Sequence, residues 1–214
     1  MNPKLQGIYA ISDEILTPYE ILPQCLESAL KAGVKIFQLR DKSHSDEWLY
    51  PIAKELLKLC ERYNALFVLN DRLDLALRLN APALHIGKDD GEFSRVRERF
   101  SGILGASSYG DLQKAQILES LGADYVAFGA FFPSPTKPNA TAAPLELLPQ
   151  AKQTLKIPIC AIGGISTQNI HLLKNADMCA VISSLWQCKI QDSPLEIKYQ
   201  NIYHNALALI QSLE

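Results

Sequence analysis

The sequence predicts an α/β chain folded as a single-domain (β/α)8 barrel spanning residues 1–214. Three observations predict it. Short apolar runs alternate with longer stretches of helical period, the runs number eight, and a pattern of helix cap followed by strand recurs on every second run. Strict strand–helix alternation builds a parallel sheet with right-handed crossovers. Eight such units in little more than two hundred residues close into a barrel.

The runs are "GIYAIS", "VKIFQLR", "ALFVLN", "ALHIG", "GILGAS", "YVAFG", "IPICAIGG" and "MCAVIS". Between them lie amphipathic segments such as "EWLYPIAKELLKLCERY" and "DLQKAQILESLG", with the apolar spacing of a helix. The repeat comprises "AGVKIFQLR" from Ala32, "LNAPALHIG" from Leu79, "LGADYVAFG" from Leu121 and "KNADMCAVI" from Lys174. Each copy places Gly or Asn second (Gly33, Asn80, Gly122, Asn175), the residue types that end a helix in the left-handed conformation. The copies fall on strands two, four, six and eight, as expected of a barrel whose alternate strands fill common layers. No linker or low-complexity segment divides the chain.

With 48% apolar and 21% charged residues, the composition is that of a globular protein. A formal charge of −2 without a long basic run argues against nucleic acid or an anionic membrane as the main partner. The opening "MNPKLQGIYA" lacks the apolar stretch of a signal peptide, and no run approaches a membrane span, so a cytoplasmic location is expected. Cys25, Cys60, Cys160, Cys179 and Cys188 are odd in number and contain no CxxC pair, which favours reduced, buried thiols over a zinc site or disulfide framework.

In such a barrel the chemistry sits at the C-terminal ends of the strands. Strand two ends "FQLRDK": Gln38 and Arg40 share a strand face and Lys42 opens the loop. Cations in a barrel mouth call for an anionic ligand, because unpaired buried charge is costly. Strand three ends "VLNDR", placing Asn70 and Asp71 at the rim, and "HIGKDDG" puts Asp89 and Asp90 just beyond strand four. Neighbouring strands lie about 4.8 Å apart, so these carboxylates can share one cation. Oxygen ligands without a His–Cys cluster favour magnesium over zinc; helix N-caps are the alternative role for each Asp. His85, alone in an apolar strand, reads first as a satisfied interior residue. Strand five brings Ser107 and Ser108 in "GASSYG". Gly163 and Gly164 in "AIGGIS" let backbone amides approach a phosphate, and Ser183 and Ser184 at the end of strand eight complete the phosphate site usual in this barrel.

The stretch "FFPSPTKPNATAAP", Phe131 to Pro144, follows strand six. Its prolines forbid a helix or an inner strand. Ser134, Thr136 and Lys137 supply hydroxyls and a cation, an anion grip on a loop placed to close over substrate. Two anion sites and one magnesium suggest the joining of two phosphorylated fragments, with pyrophosphate leaving.

Eight blocks in register, "YAISD", "FQLRDK", "LNDRLDLA", "ALHIGKDDG", "GASSYG", "DYVAFGAFFPSPTK", "PICAIGGIS" and "AVISSLW", resemble the thiamine phosphate synthase family of TIM barrels over nearly the whole chain. The resemblance implies a magnesium-dependent transferase. It would join hydroxymethylpyrimidine diphosphate to hydroxyethylthiazole phosphate, two small-molecule substrates, and release pyrophosphate. It also implies site residues: Gln38, Arg40 and Lys42 on the pyrophosphate side, Asn70 on the diphosphate, and Asp71 with Asp90 on the metal. Ser107 matches the family's strand-five serine. Ser134, Thr136 and Lys137 match a T-x-T-K motif with Ser in first place, and Gly164, Ile182 and Ser183 match the thiazole phosphate site. Lys42, Lys137 and Ser107 are the catalytic candidates. The implied mechanism is dissociative: diphosphate leaves, the aminopyrimidine stabilises the cation, and the thiazole nitrogen attacks, with no enzyme nucleophile.

The chain departs from the family pattern at Tyr109, where histidine is common, and at Lys88, Ala130 and Asn139, which replace glutamine, proline and aspartate. Two rivals stand beside the synthase: a thiazole tautomerase, which uses the histidine replaced here by Tyr109 and needs no diphosphate grip, and a non-catalytic barrel that only binds thiamine precursors. Homo-oligomerisation stays open.

Overall fold

The computed structural model describes residues 4–87, 92–133, 142–187 and 194–213. Eight parallel strands bond in sequence order, and the eighth pairs with the first to close the barrel. In chain order the elements are β1 (Gly7–Ile11), α1 (Leu22–Ala32), β2 (Ile36–Leu39), α2 (Asp46–Arg62), β3 (Leu66–Asn70), α3 (Leu73–Leu79), β4 (Ala83–Ile86) and α4 (Phe93–Arg99). Then follow β5 (Ile103–Tyr109), α5 (Leu112–Ser120), β6 (Tyr125–Phe128), α6 (Leu147–Thr154), β7 (Ile159–Ile162), a 3-10 turn (Ile170–Leu173), β8 (Met178–Val181), α7 (Ser183–Trp186) and α8 (Leu195–Leu213).

The expected (β/α)8 barrel is present, with three local corrections. The seventh crossover is a 3-10 turn rather than an α-helix. The side chain of Asn169 accepts from the Ser166 N–H at 2.8 Å and donates to the Gly164 carbonyl at 3.0 Å, holding the start of that connection in a turn. The cap pattern holds at Gly33, Asn80 and Gly122, all left-handed, but not at Asn175. There the preceding turn ends with Lys174 still right-handed, at φ −56° and ψ −19°. The eighth strand stops at Val181, because Ile182 leaves extended geometry (φ −126°, ψ −86°), so Ser183 and Ser184 open α7 instead of ending a strand.

Alternation along each strand divides the apolar side chains between two cores. Phe37, Leu39, Phe67, Leu69, Leu84, Leu104, Val126, Phe128, Ala161 and Val181 face the helices and join the larger one. Ile36, Leu66, Val68, Ala83, Tyr125, Cys160, Met178 and Ala180 fill the barrel axis. Each large apolar side chain fully buried in this way contributes roughly 1.5–3 kcal/mol.

Two of the helices start at a side-chain cap: Ser45 accepts from the Trp48 N–H at 3.3 Å before α2, and Asp111 from the Lys114 N–H at 2.9 Å before α5. The last helix, α8, packs on α1, and Trp186 ties α7 to β1 through Nε1–H donating to the Ile11 carbonyl at 2.6 Å. Cys25, Cys60, Cys160 and Cys179 are buried free thiols, as expected; Cys188 lies outside the described residues. No helix among the described residues is long and apolar enough to cross a membrane.

Axial packing leaves no room for a side chain at one position where β5 meets β6. A Cβ on Gly105 would lie 2.0 Å from the Tyr125 ring, so glycine there makes room for the tyrosine paired with it on the neighbouring strand. Gly105→Ala is therefore expected to destabilise the fold by about 1–3 kcal/mol, the usual cost of overpacking. Equilibrium denaturation against the unsubstituted chain measures it.

Candidate active site

At the C-terminal ends of the strands a cavity of about 400 Å³ opens to solvent. Its lining is divided. Gln38, Arg40, Lys42, Asn70, Asp71, His85 and Ser107, from β2 to β5 and the loops after them, make a polar wall. Ile11, Ala127, Cys160, Ile162, Ala180 and Ile182 make an apolar one. Strand parity selects the residues that line it, since the last inward residue of each strand faces the mouth. Burial pushes the Cys160 thiol well up, which keeps it from serving as a thiolate nucleophile.

The floor of the polar wall is a hydrogen-bonded chain across five strands. Gln38 Nε2 donates to the Tyr9 hydroxyl at 2.7 Å. The Tyr9 and Tyr125 hydroxyls are 2.9 Å apart, and the Tyr125 hydroxyl is 3.0 Å from His85 Nδ1. His85 Nε2 lies 3.0 Å from Ser107 Oγ. Each hydroxyl has one hydrogen, so once Gln38 donates, one direction gives every hydrogen in the chain an acceptor. Tyr9 donates to Tyr125, Tyr125 to His85 Nδ1, and His85 Nε2–H to Ser107. The hydrogen of Ser107 is then left for the cavity. Burial pushes the hydroxyls of Tyr9 and Tyr125 far up, so both stay neutral. His85 is thus the satisfied interior residue expected, and it also supports Ser107.

The cations and the carboxylate meet at the rim. Ser12 grips the Arg40 backbone from both sides, its Oγ accepting from the Arg40 N–H at 2.8 Å and donating to the carbonyl at 3.3 Å. The Arg40 guanidinium lines the cavity and has no ion pair among the described residues. Asp71 stands in the left-handed conformation (φ +64°), which turns the chain out of β3 and leaves its carboxylate on the cavity wall. That carboxylate pairs with Lys42 Nζ and accepts from Asn70 Nδ2.

Behind Lys42, Asp41 is buried among donors. Its carboxylate accepts from the Tyr19 hydroxyl, from the His44 N–H at 2.9 Å, from the Ser43 N–H at 3.2 Å, and from Arg72 Nη2 at 2.7 Å, and His44 Nδ1 lies 2.7 Å away. Burial alone would raise its pKa, but the Tyr19 hydroxyl and His44 outweigh that and hold it at about 2. Glu14, Asp41 and His44 form a cluster of metal-ligand type, yet these bonds already occupy both oxygens of Asp41.

Of the residues singled out in the sequence, Gln38, Arg40, Lys42, Asn70, Asp71, Ser107 and Ile182 line one cavity. Gly164 and Ser183 do not line it. Gly164 has a structural requirement of its own: it is left-handed (φ +58°), and a Cβ there would lie 2.3 Å from the Pro133 carbonyl oxygen. Ser108 is a correction, since strand parity turns it outward, where its Oγ donates to the Ala127 carbonyl at 3.1 Å. Lys88, Asp89, Asp90, Ser134, Thr136, Lys137 and Asn139 lie outside the described residues. Sequence reasoning missed Tyr9, Tyr125, Asp41 and Arg72. The first two were findable as hydroxyl-bearing aromatics at inward strand positions. The last two meet across 31 residues, for which no local pattern exists.

A profile of the family described as "Thiamine monophosphate synthase" matches residues 8–185. The chain belongs to the thiamine monophosphate synthase family. It is 47% identical over 212 residues to a thiamine-phosphate synthase of Wolinella succinogenes, covering 98% of this chain and 94% of the relative. It is 42% identical over 187 residues to that of Thioalkalivibrio sulfidiphilus, covering 86% and 89%. Among solved structures it resembles the thiamine phosphate pyrophosphorylase of Pyrococcus furiosus, at 31% identity and a TM-score of 0.85 over 98% of this chain and 96% of that one. Family membership accounts for the register of the quoted blocks. Tyr109, where the family pattern often has histidine, sits at the cavity mouth in the left-handed conformation (φ +58°), with Lys114 Nζ 5.0 Å from its ring centre.

The depressed Asp41 pKa predicts a pH dependence of stability. A carboxylate lowered from the ordinary 3.8 to about 2 stabilises the fold above about 3.8, and that contribution is lost as pH falls toward 2. The stability gap between the unsubstituted chain and Asp41→Asn should thus be level near neutrality and shrink between pH 4 and about 2. Denaturant titrations across that range measure it.

Proposed function

We propose that this protein is a thiamine phosphate synthase: it joins hydroxymethylpyrimidine diphosphate to hydroxyethylthiazole phosphate and releases pyrophosphate. The observation that carries the reading is the divided cavity. Arg40 and the Lys42–Asp71 pair stand at one side of its mouth, and a wall of Ile, Ala and Cys side chains faces them. A diphosphate belongs at the first and flat heteroaromatic rings along the second. The whole reaction takes place in the one barrel, which we take as a single catalytic domain acting on small molecules in the cytoplasm.

Magnesium fits the donor set. Asp71 offers a cavity-facing carboxylate beside the amide of Asn70, oxygen chemistry suited to a hard cation that keeps several waters and takes substrate phosphate oxygens. Asp71 and Asp90 would hold it, and when bound it would supply positive charge to the leaving diphosphate.

The chain's own residues do the rest. Arg40 and Lys42 bind the diphosphate and offset the charge that grows as the carbon–oxygen bond breaks. Lys137, Thr136 and Ser134 would close on it from the loop after β6. Ser107, held by His85, presents a donor to the pyrimidine side. Ile182, Gly164 and Ser183 would place the thiazole phosphate so that the ring nitrogen forms the new carbon–nitrogen bond. Positioning and charge suffice, and no side chain acts as nucleophile.

The purified protein should make thiamine phosphate and pyrophosphate in equal amounts from the two precursors, and only with magnesium. An isomerase would release no pyrophosphate, and a binding protein would hold the precursors without turnover. Asp71→Ala should lose most activity while keeping its fold, since a rim carboxylate is not core. Arg40→Ala removes a charge-assisted contact of ~2–3 kcal/mol, roughly 30- to 150-fold in kcat/KM. Normal turnover in both variants would overturn the site assignment.

A further inference from the structure

Lys42 and Asp71 approach each other at the cavity rim from loops after two different strands. Each has a chain neighbour on the far side of the wall: Asp41 before Lys42, and Arg72 after Asp71. These two neighbours also meet. Arg72 Nη2 donates to Asp41 Oδ1 at 2.7 Å, to the Asp41 carbonyl at 3.2 Å and to the His44 carbonyl at 2.7 Å, while Nη1 reaches Asp46 Oδ1 at 2.6 Å. The Asp41 side chain is 0% exposed and that of Arg72 18%. Resting on the function proposed above, we infer that Asp41 and Arg72 are a positioning pair for the reaction. Their buried ion pair sets the aim and separation of Lys42 and Asp71 on the other side of the wall.

Three physical points favour positioning over mere support. Relative to apolar side chains of similar volume, a largely buried ion pair adds little net stability, although removing one partner alone is costly. What it does provide is direction, because the guanidinium fork accepts only a narrow range of geometries. The pair is itself held in place. Tyr19, from the loop after β1, donates to Asp41, and Glu14 from the same loop accepts from the Lys42 N–H at 3.1 Å. Three loops are therefore tied together behind the two side chains that face the cavity. A shift of either would change a separation on which charge stabilisation depends steeply.

The test compares Asp41→Asn, Arg72→Lys and the double variant Asp41→Asn/Arg72→Lys, each corrected for folded fraction. Steady-state kinetics are combined with calorimetric titration of inorganic pyrophosphate in the presence of magnesium. The expected result for Asp41→Asn is a fall in kcat of about 10²-fold, the size of effect that about 1 Å of misplacement causes. Pyrophosphate affinity should weaken by about 10-fold. Arg72→Lys, which keeps the charge and loses the fork, should fall between it and the unsubstituted protein. The double variant should be no worse than Asp41→Asn alone, because the two residues act as one unit. If kcat and pyrophosphate affinity per folded molecule are unchanged while the melting temperature drops, the pair is structural only and the inference falls. It falls equally if the two substitutions act independently. Should Asp41→Asn fail to fold, Arg72→Lys carries the same comparison alone. If the unsubstituted protein makes no thiamine phosphate, the functional reading fails separately, and the pyrophosphate titration still judges the pair.

Discussion

Closure of the sheet is the constraint on which the rest of this molecule depends. Once β8 bonds to β1, every second strand residue points into a narrow axis. A polar group there must find a partner, because an unpaired one costs several kcal/mol. Gln38, Tyr9, Tyr125, His85 and Ser107 meet that demand with one another, each on a different strand. Below them the axis is apolar, filled by side chains such as Ile36, Leu66 and Met178. Above them the strands end, and the next polar residues face a cavity instead of a core.

The cavity above the closed axis has two chemically different walls. Strands β2 to β5 end in amide, cationic, carboxylate and hydroxyl side chains, whereas β6 to β8 end in Ala, Ile and Cys. Charge is concentrated where loops from neighbouring strands can brace it from behind. Asp41, with its pKa held at about 2, carries full negative charge at neutral pH and anchors cationic and hydroxyl donors from three segments. On the opposite side, bracing comes from close backbone packing. Gly163 and Gly164 lie against Ala130, Phe132 and Pro133, so the connection after β7 and the start of the loop after β6 share one contact surface. The phosphate-binding function read for Gly164 and the path of residues 130–133 are therefore not independent.

Much of this was legible in the sequence, and the reasons are local. The eight apolar runs and the inward parity of Gln38 and Arg40 follow from periods of two and 3.6 residues, and the caps at Gly33, Asn80 and Gly122 from residue types that tolerate the left-handed conformation. Ser108 was misread because strand five runs on to Tyr109, with an irregular register between Ser107 and Tyr109, rather than stopping at the serines. Ser183 and Ser184 were misread because a single residue, Ile182, turns strand into helix.

The sequence by itself determined the number and order of the strands, the closed barrel, and six of the residues that line its mouth: Gln38, Arg40, Lys42, Asn70, Asp71 and Ser107. Each depends on a short-range pattern that the chain carries wherever it folds. Only the tertiary structure decided which of these residues touch and what stands behind them. The Tyr9–Tyr125 hydrogen bond spans 116 residues and the Arg72–Asp41 bond 31. The first exists because barrel closure turns distant strands toward one axis, the second because the loops after two paired strands, β2 and β3, meet behind the rim. No periodicity encodes them, since they depend on where two separate segments end relative to one another in space.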